Sequence, residues 1–432
     1  MIVKNKLDSI IEMMAENKQN FVMDGEKDFM RTRKLSFEKI VKMLLTMGSG
    51  SLNKELLEYF DYDLETPSSS AFIQQRKKLR PEAFHFLLNE FTHSFNDYKT
   101  YQGYRLVAID GSDLITPHNP NDVDTYFQTS LDSIGYNMLH LNVLYDLCNK
   151  LYLDVRLQPG QKPNEHRALI DMVDCPILKD KVIVIADRGY EGYNIFAHIE
   201  QSGWKYIVRV KEAESSGILS GLKLPDTGEY DLQIHKVLTR KQTKEVKAHP
   251  DLYRVLHKTT AFDYLDSSDH LYYPMSFRVV RMKVDVDTYE CIITNLSVEE
   301  FSPEKIKMLY HMRWGVETSF RELKHTIGLS HFHSKKVESI AQEVFARMVI
   351  YNFCEIITLH VVIQQKPRKH GYQVNFSMAM HICRQFYKTL DHVHPPNVEA
   401  LIQKFLLPIR ENRKYPRKIK TRSYVSFNYR VA

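Results

Sequence analysis

Several residue types and patterns that mark specialised sites are scarce or missing in this chain. There are five cysteines, at positions 148, 175, 291, 354 and 383, isolated from one another and with no CxxC pair. An odd, scattered set argues for reduced thiols and against a zinc site. Tryptophan occurs twice, at Trp204 and Trp314. No stretch approaches the ~18 uninterrupted apolar residues that a membrane span requires. The first residues, "MIVKNKLDSIIEMMAENKQN", lack the apolar core of a signal peptide. No internal repeat or low-complexity tract is evident. These absences point to a cytoplasmic protein with no membrane partner.

What remains is ordinary in bulk: 432 residues, 43% hydrophobic and 26% charged, enough for two or three domains with a large core. The net charge of +6 is unevenly spread. Positions 410–432 hold eight Lys or Arg against the single acid Glu411, so that segment carries +7 and the rest sums to −1. Tyr415, Tyr424, Phe427 and Tyr429 are interleaved with these charges, a composition that suits a phosphate backbone with rings available for stacking. A solubilising tail has the same composition.

Residues 1–98 read as helical. "SFEKIVKMLLTMG" is amphipathic, with Ser36 placed as an N-cap. "TPSSSAFIQQRKKLRPEAFHFLLNEF" offers a Ser-rich start, a helix carrying Arg76, Lys77, Lys78 and Arg80, and a new helix after Pro81. A short helix, a turn and a basic helix are what a DNA-reading module needs; a helical bundle with a charged face reads the same way. Between 99 and 211 the pattern changes to strand, hairpin around Cys148-Asn149-Lys150, helix, strand, helix, strand, which describes a mixed sheet flanked by helices. Positions 212–287 turn polar and turn-rich and read as a β-rich insertion. The apolar strand "YECIITNL" opens a second core segment, 288–365, and helices with the basic tail fill 366–432.

Two acids stand where apolar strands run out, Asp110 in "LVAIDGSD" and Asp187 in "IVIADRGY". Asp is a poor strand residue, and a charge at the end of a buried strand is costly unless bound. Either one alone is a common turn residue. A third acid, Glu317, lies in "YHMRWGVETSFRELK". Read as one helix, this stretch puts Tyr310, Arg313, Glu317 and Lys324 within a stripe of about 60°, beside an apolar stripe of Leu309, Met312, Val316, Phe320, Leu323 and Ile327. Three converging carboxylates can hold two divalent cations about 4 Å apart, and oxygen-only ligands favour Mg²⁺ or Mn²⁺. Asp113 is an additional acid that could simply cap the turn after Asp110.

The chain resembles the insertion-sequence-four family of DDE transposases. Tyr310, Arg313, Glu317 and Lys324 reproduce its Y-(2)-R-(3)-E-(6)-K signature, and Asp110 before Gly111, Asp187 in "DRGY" and "TNL" at 294–296 match in family order over roughly residues 30–430. The resemblance implies an α/β fold: an RNase H-like mixed-sheet core interrupted by the β-rich insertion, with a helical N-terminal DNA-binding domain and a helical C-terminal region. It implies Asp110, Asp187 and Glu317 as ligands of two Mg²⁺ or Mn²⁺ ions, and Tyr310, Arg313 and Lys324 as DNA-phosphate contacts. The partners it implies are double-stranded DNA, as terminal inverted repeats and as target, and a second copy of the chain when two ends are paired. It also implies a nucleoid-associated bacterial protein. Some relatives trap a flipped base with a tryptophan of the insertion; neither Trp204 nor Trp314 lies there, and Tyr272 or Tyr273 is the available ring. Two other readings use the same residues: a DNA-binding descendant that no longer cuts, and a Mg²⁺ nuclease that cuts without joining.

Overall fold

The computed structural model describes residues 1–128, 130, 132–175, 178–226, 228–266, 268–286, 288–361, 371–388 and 396–409. The basic segment 410–432 lies outside the described residues.

Five helices come first: α1 (Ile2–Glu16), α2 (Phe37–Thr46), α3 (Leu52–Tyr59), α4 (Ser69–Arg76) and α5 (Pro81–His93). Ser36, Ser51 and Ser68 each accept a backbone N–H of the following turn and start α2, α3 and α4. Pro81 occupies the first turn of α5, where its missing N–H costs nothing.

Among the described residues one 10-stranded mixed sheet follows. Its centre is β1 (Arg105–Thr116), which pairs antiparallel with β3 (Tyr136–Asp146), whose outer side carries short β2 (Tyr126–Phe127) and β4 (Leu151–Pro159). On the other side β5 (Val182–Ala186) and β6 (Lys205–Val210) run parallel to β1. Helices α6 (Glu165–Asp174) and α7 (Tyr193–Gln201) make those crossovers. The β3–β4 hairpin turns at Cys148-Asn149-Lys150, where Asp146 accepts both the Cys148 and Asn149 N–H groups and Lys150 takes a positive φ of 57°.

The segment between β6 and the signature adds β7 (Tyr230–Thr239), α8 (Lys244–Ala248), β8 (Tyr253–Val255) and β9 (Tyr272–Asp285). It is β-rich, and it does not form a separate layer. β10 (Thr288–Thr294) pairs with both β6 and β9, so these strands lengthen the same sheet at one edge. Tyr272 is exposed on β9, Tyr273 packs against Phe262 and Tyr264, and Trp204 is buried.

α9 (Pro303–Met312) and α10 (Trp314–Arg321) cover one face of the sheet, and α11 (Val337–Leu359), buried nearly all round, runs under the N-terminal helices. Asn352 of α11 accepts the Tyr152 N–H at 2.9 Å and donates to its carbonyl at 2.8 Å, which closes part of the free edge of β4. Helices α12 (Phe376–Lys388) and α13 (Val398–Lys404) complete the C-terminal side.

Arg76, assigned from sequence to a DNA-facing helix, is a core residue. It is 3% exposed; its guanidinium donates to Gln342 Oε1 at 2.8 Å, to Glu343 Oε1 at 2.9 Å and to the Ser339 carbonyl. Glu343 also contacts Arg347 and His333 at 3.1 Å each. Although burial pushes its carboxyl up, those cations hold it well below the usual carboxylate range. The remaining charges of the stretch do not lie on a helix. α4 ends at Arg76; Lys77 and Arg80 are exposed beyond it, and Lys78 sits 3.7 Å from Asp28. The spacing of basic residues could not distinguish a solvent face from a buried partner 267 positions away.

Removing one partner of a buried ion pair is costly because the other charge stays buried. Arg76→Ala is therefore expected to destabilise the fold by about 3 kcal/mol in chemical denaturation, whereas Lys77→Ala and Arg80→Ala should leave the midpoint unchanged.

Candidate active site

The register of two parallel strands brings the first two acids together. Ala108 of β1 is paired with Ile185 of β5, and Asp110 and Asp187 each lie two residues further on. They therefore stand at the same height on neighbouring strands, whose spacing is about 4.8 Å. Side chains on a strand alternate, so both acids share the face of Leu106, Ile183 and Ile185. That face packs on Ile306, Leu309 and Tyr310 of α9. The apolar steps of the two strands thus aim their last members at the junction of α9 and α10.

Beyond that point the two strands differ. β5 ends at Ala186, and Asp187 caps a short turn, Arg188–Tyr190, by accepting the Gly189 N–H at 2.8 Å. β1 does not end at Asp110. Pairing with β3 continues from Asp110↔Val143 to Thr116↔Asn137, so Asp110 is a mid-strand residue and Asp113 lies in the strand, not in a turn. Gly111 suggests a turn in sequence, but here it makes room for side chains from the opposite face.

The signature is not one uninterrupted α-helix. Arg313 sits between α9 and α10, where the bonds Arg313 N–H to Tyr310 and Val316 N–H to Arg313 are of the tighter i→i−3 kind. A wide π turn, Glu322–Thr326, follows, with the Ile327 N–H bonded to the Glu322 carbonyl. Tightening at one end and widening at the other redirect the side chains without stopping the run.

Arg313 is the hub of the site. It is 6% exposed, and its guanidinium contacts Asp110 Oδ2 at 3.3 Å and Glu317 Oε1 at 2.9 Å. Its carbon lies 5.2 Å from the Trp314 ring centroid and 6.0 Å from that of Tyr310. Tyr310 is itself buried, which pushes its hydroxyl pKa up. Lys324 donates to Ser112 Oγ at 2.7 Å and to the Asp113 carbonyl at 2.8 Å, and burial pulls its ammonium pKa down. Asp110, Arg313, Glu317 and Lys324 are thus brought together along β1, with Asp187 beside them. Lys77 and Arg80 lie elsewhere, on the N-terminal helices.

Burial pushes the Asp110 carboxyl up to about 6, against the pull of Arg313 and with a further push from Asp187 and Glu317. The three acids therefore lie within electrostatic reach of one another. Among the described residues no three His, Cys, Asp or Glu side chains are gathered in a metal-ligating arrangement. Two of the carboxylates are instead drawn onto Arg313. The donor set still fits a hard divalent cation, since it is all oxygen. The Tyr190 hydroxyl supports that fit: it is buried without a hydrogen-bond partner, in the field of Asp110, Asp187 and Arg313.

The sequence reading missed Tyr190 and a second group, His140 and Glu165. His140 Nδ1 is 2.8 Å from Asp113 and its Nε2 is 2.9 Å from Glu165. Neither has a sequence signal of its own, because His140 reaches Asp113 only through the β1–β3 register.

A mixed sheet that aligns two acids on adjacent parallel strands and brings up a third on a covering helix defines a class of oxygen-ligand sites suited to phosphoryl chemistry. The family described as Transposase DDE domain matches residues 101–353, and the chain belongs to it. The InsG transposase of insertion sequence element IS4, from Escherichia coli strain K12, is 29% identical over 128 residues, which is 27% of this chain and 28% of that protein. The match thus spans little more than a quarter of that relative's length. A cryo-EM structure of the piggyBac transposase synaptic complex with hairpin DNA aligns with a TM-score of 0.43 at 10% identity, over 89% of this chain and 77% of that one.

An unpartnered buried hydroxyl costs stability unless a ligand completes it. Tyr190→Phe is expected to leave the metal-free protein equally stable or up to about 1 kcal/mol more stable, as read by thermal unfolding in the presence of a chelator.

Proposed function

We propose that this chain cuts the ends of a mobile DNA element and joins them to target DNA, with Asp110, Asp187 and Glu317 holding two Mg²⁺ or Mn²⁺ ions on an RNase H-like core. The observation that carries the reading is the aligned Asp110–Asp187 pair with Arg313 and Glu317 against it. The strand order β4-β3-β1-β5-β6, three antiparallel and then two parallel to the first, supports the RNase H-like assignment. When bound, the ions supply charge neutralisation at the scissile phosphate and polarise the attacking oxygen.

The residues around them have separable tasks. Asp110 and Asp187, fixed on strands, set the position of the ions, and Glu317 closes the set from the helix. Arg313 has a planar fork that grips phosphate as well as carboxylate. DNA arriving at the site offers Arg313 a phosphate in exchange for Asp110 and Glu317. Release of those carboxylates couples DNA binding to metal binding. Lys324 adds a point charge further along β1, and Tyr310 backs the guanidinium. Lys77, Arg80 and the basic 410–432 segment hold more distant phosphates. A second copy of the chain is needed when two ends are paired.

Incubation of a labelled element end with protein, Mg²⁺ and a target plasmid tests the whole reading. Cleavage with strand joining supports it, binding alone selects the non-cutting descendant, and cutting alone selects a nuclease. Asp110→Ala, Asp187→Ala and Glu317→Ala are each expected to reduce cleavage to background while end binding persists; wild-type cutting by any one removes that residue from the set. Arg313→Ala should tighten Mn²⁺ binding to the DNA-free protein, on the order of tenfold or 1.4 kcal/mol, because it removes a competing cation, yet slow cleavage. Calorimetry that finds Mn²⁺ affinity unchanged would separate the guanidinium from the metal site.

A further inference from the structure

Where β5 stops at Ala186, β1 runs on unpaired on that side, since their pairing covers only Arg105–Ala108. The gap so formed is filled by the Arg188–Tyr190 turn and by a side chain from the opposite face, Glu165. Glu165 is the first residue of α6, whose N-cap Asn164 accepts the Arg167 N–H at 2.9 Å, so its backbone is fixed. The closeness of its carboxylate can be judged from two glycines. A Cβ on Gly111 would lie 2.6 Å from Glu165 Oε1, and one on Gly189 would lie 3.8 Å from Glu165 Oε2. Those glycines follow Asp110 and Asp187 by one and two residues. Glu165 is thus wedged between the two loops that carry the first two acids.

Behind Glu165 stands His140, buried at 7% exposure, with Glu165 on one ring nitrogen and Asp113 on the other. Burial alone would pull an imidazole pKa down; the two carboxylates outweigh it and push it up to about 9. A charged ring donates from both nitrogens and fixes the acid in front of it. Glu165 would have no need of such support if it only faced solvent, and its side chain is 37% exposed. An independent feature points to a ligand. The Tyr190 hydroxyl, in a residue 1% exposed, has no partner, and Glu165 is the strongest of the charges acting on it, ahead of Asp110 and Asp187.

We infer that Glu165 is a fourth acid of the metal site, completing the Asp110–Asp187 side of it, and that His140 backed by Asp113 is its positioning residue. The inference rests on the metal-binding reading of Asp110 and Asp187. The Tyr190 hydroxyl, facing the same gap, bonds to what the cation brings there.

The test is a titration of the full chain with Mn²⁺ alone, followed by electron paramagnetic resonance. Glu165→Gln, which keeps the shape, should weaken Mn²⁺ binding or remove one ion, and Glu165→Asp should recover part of it. His140→Gln should weaken binding by about 10- to 100-fold, as loss of a ligand's support does elsewhere. Gly111→Ala, which displaces Glu165 while keeping its charge, should reproduce the weakening, and serves if Glu165→Gln does not fold. Melting temperatures measured with chelator should stay within a few degrees of wild type, which a purely structural role would not allow. Wild-type affinity and stoichiometry in Glu165→Gln, with binding lost in Asp110→Ala and Asp187→Ala, overturns the inference and leaves the metal reading standing. Unchanged binding in all of them, or none in the wild type, overturns both.

Discussion

A single guanidinium holds this site together. Arg313 lies between Asp110 and Glu317, which come from a strand and a helix some 200 positions apart, and it does so almost wholly out of water. Carboxylates crowded in a partly dry cleft repel one another and resist ionisation, as the raised pKa of Asp110 records. Without a cation among them the acids would take up protons or move apart. The same charge fixes the angle at which the α9–α10 run crosses β1, because one fork must reach two acids at once. Arg313 therefore has a structural task in the DNA-free protein, and the geometry of that task is what a divalent cation would take over.

The scaffold makes this arrangement unavoidable once the strands are in register. A slip of one residue between β1 and β5 would turn Asp187 to the opposite face of the sheet. The all-buried run Val182–Ala186 guards against it, since both faces of that strand are packed and neither tolerates the exchange. On the covering side, Ile306, Leu309 and Tyr310 seat α9 on Leu106, Ile183 and Ile185, so one apolar cluster sets both the height of the helix and the facing of the acids. The strands between β6 and α9 then extend the sheet edge without disturbing this centre, which explains how a polar, turn-rich stretch can interrupt the core in sequence and not in space.

Much of this could be read from the residues, and what could not has a physical reason. The alternation of apolar positions placed Asp110 and Asp187 on strands, and the spacing of Tyr310, Arg313, Glu317 and Lys324 placed them along one helical run. Periodicity carries such information because it is local. It could not show that the run tightens at Arg313 and widens at Glu322–Thr326, since those departures answer to what lies across the cleft. It read Asp110 and Gly111 as the end of a strand because Gly weakens strands, whereas pairing with β3 carries β1 on to Thr116. Glu165 and His140 escaped notice because each matters only through tertiary neighbours, Gly111 and Asp113.

Arg76 shows the same limit from the other side, and its burial bears on how the N-terminal helices could serve DNA. A cation at the end of α4 looks like part of a basic surface, yet Glu343 of α11 draws it inward together with Arg347 and His333. That network ties the N-terminal helices to the helix packed beneath the sheet, where a purely apolar contact would allow small sliding. Hydrogen bonds from Gln342 to the Leu79 and Arg76 carbonyls fix the turn that follows. The charges left outside, Lys77 and Arg80, are then held on a turn that cannot move independently of α11. A helical module anchored in this way presents its exposed cations at a fixed distance from Asp110 and Arg313. Duplex DNA spanning both would meet a rigid pair of sites and would have to adapt its own path to reach the second.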